Sequence, residues 1–155
     1  MQAGGTRQET YTSFVEGIQD RLRHALVARY GREAGREAAA DALAYGWEHW
    51  ERIRDMDNPA GYLYRVGEHK AMRSRRPSPL FPAPPTHSDP IVEPRLPKAL
   101  TRLSPQQRQA VVLIHGYQMT HQETADLLGL SRSSVQRHLE RGLAKLRGSL
   151  GVTDA

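Results

Sequence analysis

Cysteine is absent from this chain of 155 residues, and large apolar side chains are few. Without thiols the protein can form neither a disulfide framework nor a cysteine-ligated zinc site. Aromatic residues make up only 6% of the sequence, with two phenylalanines and two tryptophans. This composition does not suit one large core, because aromatic side chains supply much of the buried area in such cores. We therefore expect two small helical domains.

Long apolar runs are also lacking, and none is long enough to cross a bilayer. The polar start, MQAGGTRQET, has no hydrophobic segment of a signal peptide. The seven histidines show no HExxH or similar ligand spacing, and neither a glycine-rich phosphate loop nor a nucleophile motif is present. We expect a cytoplasmic protein that has no membrane partner, uses no metal or cofactor and is not an enzyme.

Positive charge is unevenly distributed along the chain, whose formal net charge is +5. Residues 1–76 carry 13 lysines and arginines against 11 acidic residues, whereas residues 95–155 carry 9 against 4. The excess of positive charge therefore lies in the C-terminal part. Such an excess suits a polyanionic partner such as nucleic acid.

Proline is concentrated in one stretch: eight of the ten prolines lie between Pro77 and Pro97. Proline lacks a backbone donor and has a fixed φ, so a helix or a central strand is excluded there. We favour an extended, semi-stiff linker over a proline-rich ligand for a partner domain. The predicted organisation is a disordered start at 1–12, a first domain at 13–76, a linker at 77–95 and a second domain at 96–150.

The first domain shows helical periodicity. Apolar residues at intervals of four, from Phe14 to Leu26, predict an amphipathic helix that ends near Gly31. An alanine-rich helix follows, and Trp47 and Trp50 near its end are interpreted as core residues because large aromatics dominate small helical cores.

A third helix is predicted from Asn58, a good N-cap, and Pro59, which suits the first helical position, to about Arg76. One face of this helix mixes aromatic and cationic side chains: Tyr62, Arg65, His69, Arg73 and Arg76. Such a face can stack an unpaired base and follow a phosphate backbone. A solvated basic helix explains the same pattern equally well, and the residues alone leave both interpretations open.

The second domain contains the most specific motif, THQETADLLGLSRSSVQRHLERGLAKLR at 120–147. Thr120 and Glu123 form a predicted capping box, and Gly129 lies where the chain must turn sharply, at positive φ. Leu130 is expected to fill the turn. Ser131 is a suitable cap for the helix that follows.

This last helix is predicted to bury one stripe and expose another. Val135 and Leu139 begin an apolar stripe at helical spacing, and the opposite face carries hydroxyl groups and positive charge. The pattern is typical of a helix-turn-helix that lays its second helix across DNA. The alternative is an ordinary helical hairpin with a solvated basic face.

The whole arrangement resembles the extracytoplasmic-function sigma factors, small promoter-recognition subunits of bacterial RNA polymerase. The resemblance runs from about Phe14 to Leu150. The segment LSPQQRQAVVLIHGYQMTHQETADLLGLSRSSVQRHLERGLAKLR is similar to the family's fourth region, and DNPAGYLYRVGEHKAMRSRR resembles the helix after its promoter-reading loop. The resemblance implies an all-α fold in which a region-2-like helical bundle and a region-4-like helix-turn-helix domain are joined by a Pro-rich linker. It implies no further domain before, between or after them.

The resemblance also implies roles for individual residues. Contacts with the upstream (minus thirty-five) promoter element fall on Arg132, Ser133, Ser134, Gln136, Arg137 and Arg141. Contacts with the downstream (minus ten) element fall on Arg54, Asp55, Met56, Asp57, Asn58, Tyr62, Arg65, His69, Arg73 and Arg76. Docking on the clamp helices of the polymerase falls on Asp41, Ala44, Tyr45 and Glu48.

The implied function is a sigma factor that binds RNA polymerase core, through its clamp helices and flap, and reads both elements of promoter DNA. An anti-sigma factor is a further candidate partner. The chain departs from the family's pattern at several positions. Ala44 and Tyr45 replace a usual Gln and Glu, Tyr62 replaces a Trp, and His69 replaces an Asn. The missing docking residues motivate the alternative, a stand-alone helix-turn-helix regulator with impaired or absent polymerase docking.

Overall fold

The computed structural model describes residues 5–74 and 94–151, and this part of the chain is helical. Arg76 and residues 77–93 of the predicted linker lie outside the described residues. No helix in the described ranges is long and apolar enough to cross a membrane. The helices are α1 (Arg7–Tyr30), α2 (Arg32–Glu48), α3 (Trp50–Ile53), α4 (Pro59–Ser74), α5 (Leu96–Thr101), α6 (Pro105–Val111), a π-helical turn (Val112–Gly116), α7 (His121–Leu128) and α8 (Arg132–Leu150).

Helix α1 begins seven residues before Phe14. Thr6 and Glu9 form a reciprocal capping box, in which each side chain accepts a hydrogen bond from the other residue's backbone N–H. Residues 7–12, which we expected to be disordered, are therefore helical. The helix ends as predicted at Gly31, whose φ of 95° favours glycine.

Helices α1 and α2 pack very closely. A Cβ added to Gly35 would lie 2.5 Å from the backbone of Val27, so only glycine permits this crossing. The interpretation of Trp47 as a core residue is wrong: Trp50 is 5% exposed, but Trp47 is 41% exposed. The buried face of α2 runs through Ala38, Ala42 and Gly46, and Trp47 lies one residue off that face.

The second part forms as its capping residues predict. Ser104, which precedes α6, and Thr120, which precedes α7, each make a capping box, and Gly129 has a φ of 70°. The side chain of Ser131 accepts a hydrogen bond from Ser134 N–H at the start of α8. These findings confirm the predicted local structure of the helix-turn-helix.

One detail of the turn was predicted incorrectly. Leu130 does not fill the turn but is 36% exposed, and Leu127, at 5% exposed, is the leucine that packs in the core. Leu127 faces inward because it lies one helical turn after Thr124, which is also buried.

The two helical parts share a core, which differs from the expectation of two separate ones. Leu113, Met119 and Leu127 from the second part pack in the same buried cluster as Leu22 and Leu63 from the first. A smaller cluster, centred on Leu100, Val111 and Leu139, belongs to the second part alone. Because few aromatic side chains are available, each part alone can bury little apolar area. Packing the two parts together enlarges the buried apolar area of both.

Candidate nucleic-acid interface

The predicted recognition helix, α8, presents the expected face. Val135 is 1% exposed and Leu139 is 5% exposed, so the apolar stripe is buried. The predicted upstream contacts are exposed except for the half-buried Ser134. The hydroxyls of Ser131, Ser133 and Ser134 form a hydrogen-bonded group at the N-terminal end of the helix, with oxygen to oxygen distances of 2.9 and 3.1 Å. The positive end of the helix dipole thus adds to the cationic side chains.

The exposed face of α8 carries positive charge, which is interrupted by the carboxylate of Glu140. Burial and then the charges of Arg137 and Arg141 lower the pKa of His138. The Nε2 of Gln136 donates a hydrogen bond to Oε1 of Glu140 at 2.7 Å. Sequence reasoning missed Glu140, although its i,i+4 spacing from Gln136 could have indicated the pair. This carboxylate can orient the amide of Gln136 toward a base edge.

The predicted downstream contacts divide between a loop and a helix face. The loop at 54–58 is exposed except for Met56, which packs on the core. On α4, Arg65, His69 and Arg73 are exposed in one row, while Tyr62 is half-buried. Beside this row lies a groove of about 370 Å³, lined by Tyr45, Tyr62, Arg65, Val66, His69, Lys70 and Arg73.

Part of the downstream set contacts the helix-turn-helix. The side chain of Asn58 caps α4 by accepting a hydrogen bond from Gly61 N–H at 3.0 Å. Its Nδ2 donates to the carbonyl oxygen of Asp126 in α7 at 2.7 Å. A Cβ on Gly129 would lie 3.0 Å from Nη2 of Arg65, so this guanidinium lies against the turn before α8. The structure thus places part of the downstream set against α7 and against the turn that precedes α8.

The predicted docking residues on α2 do not all face the same way. Asp41, Ala44 and Glu48 are exposed. Tyr45 is half-buried, and its hydroxyl lies 3.3 Å from that of Tyr62 on α4. Only the first three residues therefore form a continuous exposed stripe.

A buried arginine joins the two parts, and sequence reasoning missed it. Arg108 in α6 is 6% exposed. Its Nε donates to the carbonyl of Ala28 at 2.5 Å, its Nη2 to that of Arg29 at 3.1 Å and its Nη1 to that of Leu103 at 3.2 Å. The first two carbonyls belong to the last turn of α1, where helical partners are lacking. A cation at this end also complements the helix dipole.

The neighbouring glutamine makes a second buried connection. Gln109 is 1% exposed, and its Nε2 donates to the carbonyl of Ala25 at 3.1 Å and to the hydroxyl of Tyr64 at 2.6 Å. Tyr64 is itself 1% exposed, and burial raises the pKa of its hydroxyl. Each of these polar groups has a partner, as buried polar groups require.

Exposed contacts surround this buried connection. Arg21 in α1 forms an ion pair with Glu123 in α7, and the rings of His24 and Tyr117 stack with centroids 3.5 Å apart. Hydrogen bonds from the backbone and side chain of Thr120, and then the charge of Arg21, lower the pKa of the Glu123 carboxyl. Glu123 therefore caps α7 and contacts α1 with the same side chain.

Comparison with known proteins gives the class of this helix-turn-helix protein. Residues 94–146 match the family model described as Sigma-70, region 4. The chain is 36% identical over 123 residues to the RNA polymerase sigma-E factor of Streptomyces coelicolor, which covers 73% of this chain and 70% of that protein. It is 33% identical to the RNA polymerase sigma-E factor of Streptomyces antibioticus, over 96% of this chain and 83% of that protein.

Solved structures with the same fold include two sigma-factor complexes. One is the sigma factor RpoE bound to the anti-sigma factor NepR from Bartonella quintana, with a TM-score of 0.67, 18% identity and coverage of 94% of this chain and 99% of that one. The other is CnrH bound to the cytosolic domain of CnrY, with a TM-score of 0.61, 23% identity and coverage of 95% and 91%. At these identities the likeness concerns the fold.

These relatives define a transcription initiation protein built from two helical parts, the second of which carries the helix-turn-helix. The chain belongs to the extracytoplasmic-function sigma factors of bacterial RNA polymerase. It is a sigma factor that directs promoter-specific initiation of transcription, and it is not an enzyme.

Proposed function

We propose that the two parts of this sigma factor divide its work between them. The second part, residues 96–150, reads the upstream promoter element through α8. The first part, residues 13–76, holds the polymerase core through α2 and reads the downstream element through the loop at 54–58 and the exposed face of α4. The observation that carries the proposal is the orientation of α8: Val135 and Leu139 are buried while Arg137 and Arg141 face outward.

A reconstituted transcription assay tests this proposal. Purified protein is mixed with core polymerase from the host and with a library of genomic promoter fragments, and the transcripts are sequenced. We expect transcripts that start a fixed distance from a shared pair of sequence elements. The proposal fails if the protein does not co-elute with core polymerase or if the start sites share no element.

The partners follow from the same division. We propose that the exposed stripe of Asp41, Ala44 and Glu48 contacts the clamp helices, that the second part contacts the flap, and that the protein works in the cytoplasm. The solved complexes of RpoE with NepR and of CnrH with CnrY support an anti-sigma factor as a third partner. Isolation of the tagged full chain from its host, followed by mass spectrometry, tests for polymerase subunits and for an anti-sigma factor at once.

A stand-alone regulator is the second candidate function, and the departures at Ala44 and Tyr45 favour it. A protein of this kind keeps α8 as a DNA reader but does not dock productively on polymerase. Specific duplex binding by the full chain, with no measurable binding to core polymerase, would favour the regulator. Core binding at submicromolar concentration would exclude it.

DNA affinity is expected to fall steeply with salt. If Arg132, Arg141 and Lys145 each neutralise one phosphate, the affinity should fall roughly 40-fold between 50 and 200 mM monovalent salt, because condensed counterions are released. Fluorescence anisotropy with a labelled promoter duplex measures this dependence. A flat response would mean that the exposed face of α8 does not lie along the phosphate backbone.

Reading both elements at once requires the two parts to separate. Elements about 25 base pairs apart are roughly 85 Å apart along B-form DNA. A compact chain of this length is only about 40 Å across. We propose that the arrangement held by Arg108 and Gln109 is the form of the free protein and that it opens on the polymerase. Distance measurements between fluorophores on α2 and α8, with and without core polymerase, test this opening.

A further inference from the structure

The side chain of Tyr45 turns away from the docking stripe on α2. Asp41, Ala44 and Glu48 are exposed on that stripe, whereas Tyr45 is half-buried toward α4. Its hydroxyl lies 3.3 Å from the hydroxyl of Tyr62. A side chain whose polar end is held by the neighbouring helix is poorly placed to contact a partner that approaches α2.

An arginine and a histidine complete the surroundings of Tyr45. The Nη2 of Arg52 donates a hydrogen bond to the hydroxyl of Tyr45 at 3.0 Å, and its guanidinium lies 6.0 Å from the ring centre of Tyr62. The ring of His49 lies 4.2 Å from that of Tyr45. Hydrogen bonds from Tyr62 and then Arg52 lower the pKa of the Tyr45 hydroxyl.

The Tyr45 ring forms one wall of the groove of about 370 Å³ described above. The volume lies in the range of sites that hold a small ligand. The opposite side carries Arg65, His69 and Arg73, with Lys70 beside them, and the described lining contains no carboxylate. The groove therefore combines two phenol rings with three fixed positive charges.

Aromatic rings beside a row of cations are the features that bind a single nucleic-acid strand. Bases of any sequence stack on aromatic rings, and cations follow the phosphates. A duplex would not use both features, because its bases are already stacked. The ligand chemistry that fits the groove is thus an unpaired, negatively charged strand.

We propose that Tyr45 is a DNA-contacting residue, whose ring stacks an unpaired base of the melted downstream element beside Tyr62. This inference rests on the proposed function for its biological setting. It moves Tyr45 from the polymerase-docking set, where the family resemblance placed it, to the DNA-binding set. It also gives Arg52 a positioning role, since this arginine holds the hydroxyl of Tyr45 and lies near the ring of Tyr62.

The test compares two affinities of the full chain. One is for a fluorescein-labelled oligothymidylate at low salt, and the other is for core polymerase. Replacing Tyr45 by alanine should weaken oligothymidylate binding roughly 5- to 150-fold, the effect expected for the loss of one base–aromatic stack. The affinity for core polymerase should change less than twofold. Tyr45→Phe keeps the ring and should retain most of the oligothymidylate affinity.

Two further variants separate the alternatives. Asp41→Ala lies on the docking stripe and should weaken binding to core polymerase while leaving oligothymidylate binding intact. Trp47→Ala removes an exposed aromatic ring from another side of α2 and should leave oligothymidylate binding intact. Circular dichroism of each variant identifies any loss of fold, and a misfolded Tyr45→Ala is replaced by Tyr45→Leu.

The proposal is overturned if Tyr45→Ala keeps its oligothymidylate affinity within twofold, or if it weakens core binding as much as Asp41→Ala does. Its failure can be distinguished from failure of the proposed function. A wild-type protein that does not bind core polymerase, but whose oligothymidylate binding depends on Tyr45, would refute the function and support the groove.

Discussion

Replacing Arg108 by alanine is expected to lower the free energy of unfolding by about 2 to 4 kcal/mol, a large part of the stability of a chain this size. The guanidinium serves three carbonyls, and the two on α1 belong to a helix end that has few other donors. Its removal leaves these buried acceptors without partners and also leaves a cavity between α1 and α6. Urea denaturation followed by circular dichroism measures the loss.

The matched control is Arg102→Ala, because Arg102 precedes α6 by only three residues and is exposed. This substitution should lower the free energy of unfolding by no more than about 0.5 kcal/mol. Arg108→Lys keeps the charge but cannot reach three carbonyls in a planar arrangement. Its free energy of unfolding should therefore lie between those of Arg102→Ala and Arg108→Ala. Small-angle X-ray scattering should show a larger radius of gyration for Arg108→Ala. Equal stability of the alanine variants at 102 and 108 would contradict the importance of the buried contact.

Replacing Arg137 by alanine is expected to relax the sequence preference at one base pair of the upstream element by roughly 1 to 3 kcal/mol. Arg137 is exposed near the start of α8, where the end of a recognition helix meets base edges. A bidentate contact between arginine and guanine discriminates in this way because no other base presents the same pair of acceptors. Selection from a randomised duplex library by the polymerase-bound protein measures the preference at each position.

Arg141 provides the comparison, since it lies one turn further along the same exposed face. Arg141→Ala should weaken binding to all sequences alike, as expected for a phosphate contact, and should reduce the salt dependence. If the selected sequence changes with Arg141→Ala and remains the same with Arg137→Ala, then α8 lies in the groove in a different register from the one proposed.

Local structure was largely predictable from the sequence because it depends on neighbouring residues. The capping box at Thr120 and the left-handed turn at Gly129 both formed as predicted. The burial of Val135 and the exposure of Arg137 followed from helical periodicity alone. Periodicity failed at Trp47, because the buried face of α2 runs through Ala38, Ala42 and Gly46 and Trp47 lies one residue off it.

Contacts between the two parts could not be predicted in this way. Arg108 and Ala28 are 80 residues apart, and a polar side chain in an amphipathic helix gives no sign that it will be buried. The same applies to Gln109 and Tyr64, which satisfy each other only because the two parts meet. The roles of the predicted DNA-binding and docking residues stay predictions until the experiments above are done.

The buried guanidinium also has a consequence for binding equilibria. If the free chain must release Arg108 from α1 before it can engage a promoter, only the open fraction is competent to bind, and the measured dissociation constant is the intrinsic one divided by that fraction. An opening free energy of about 2 kcal/mol would weaken apparent binding roughly 30-fold. Variants that weaken the contact of Arg108 with α1 would then bind promoter DNA more tightly, even though their free energy of unfolding is lower.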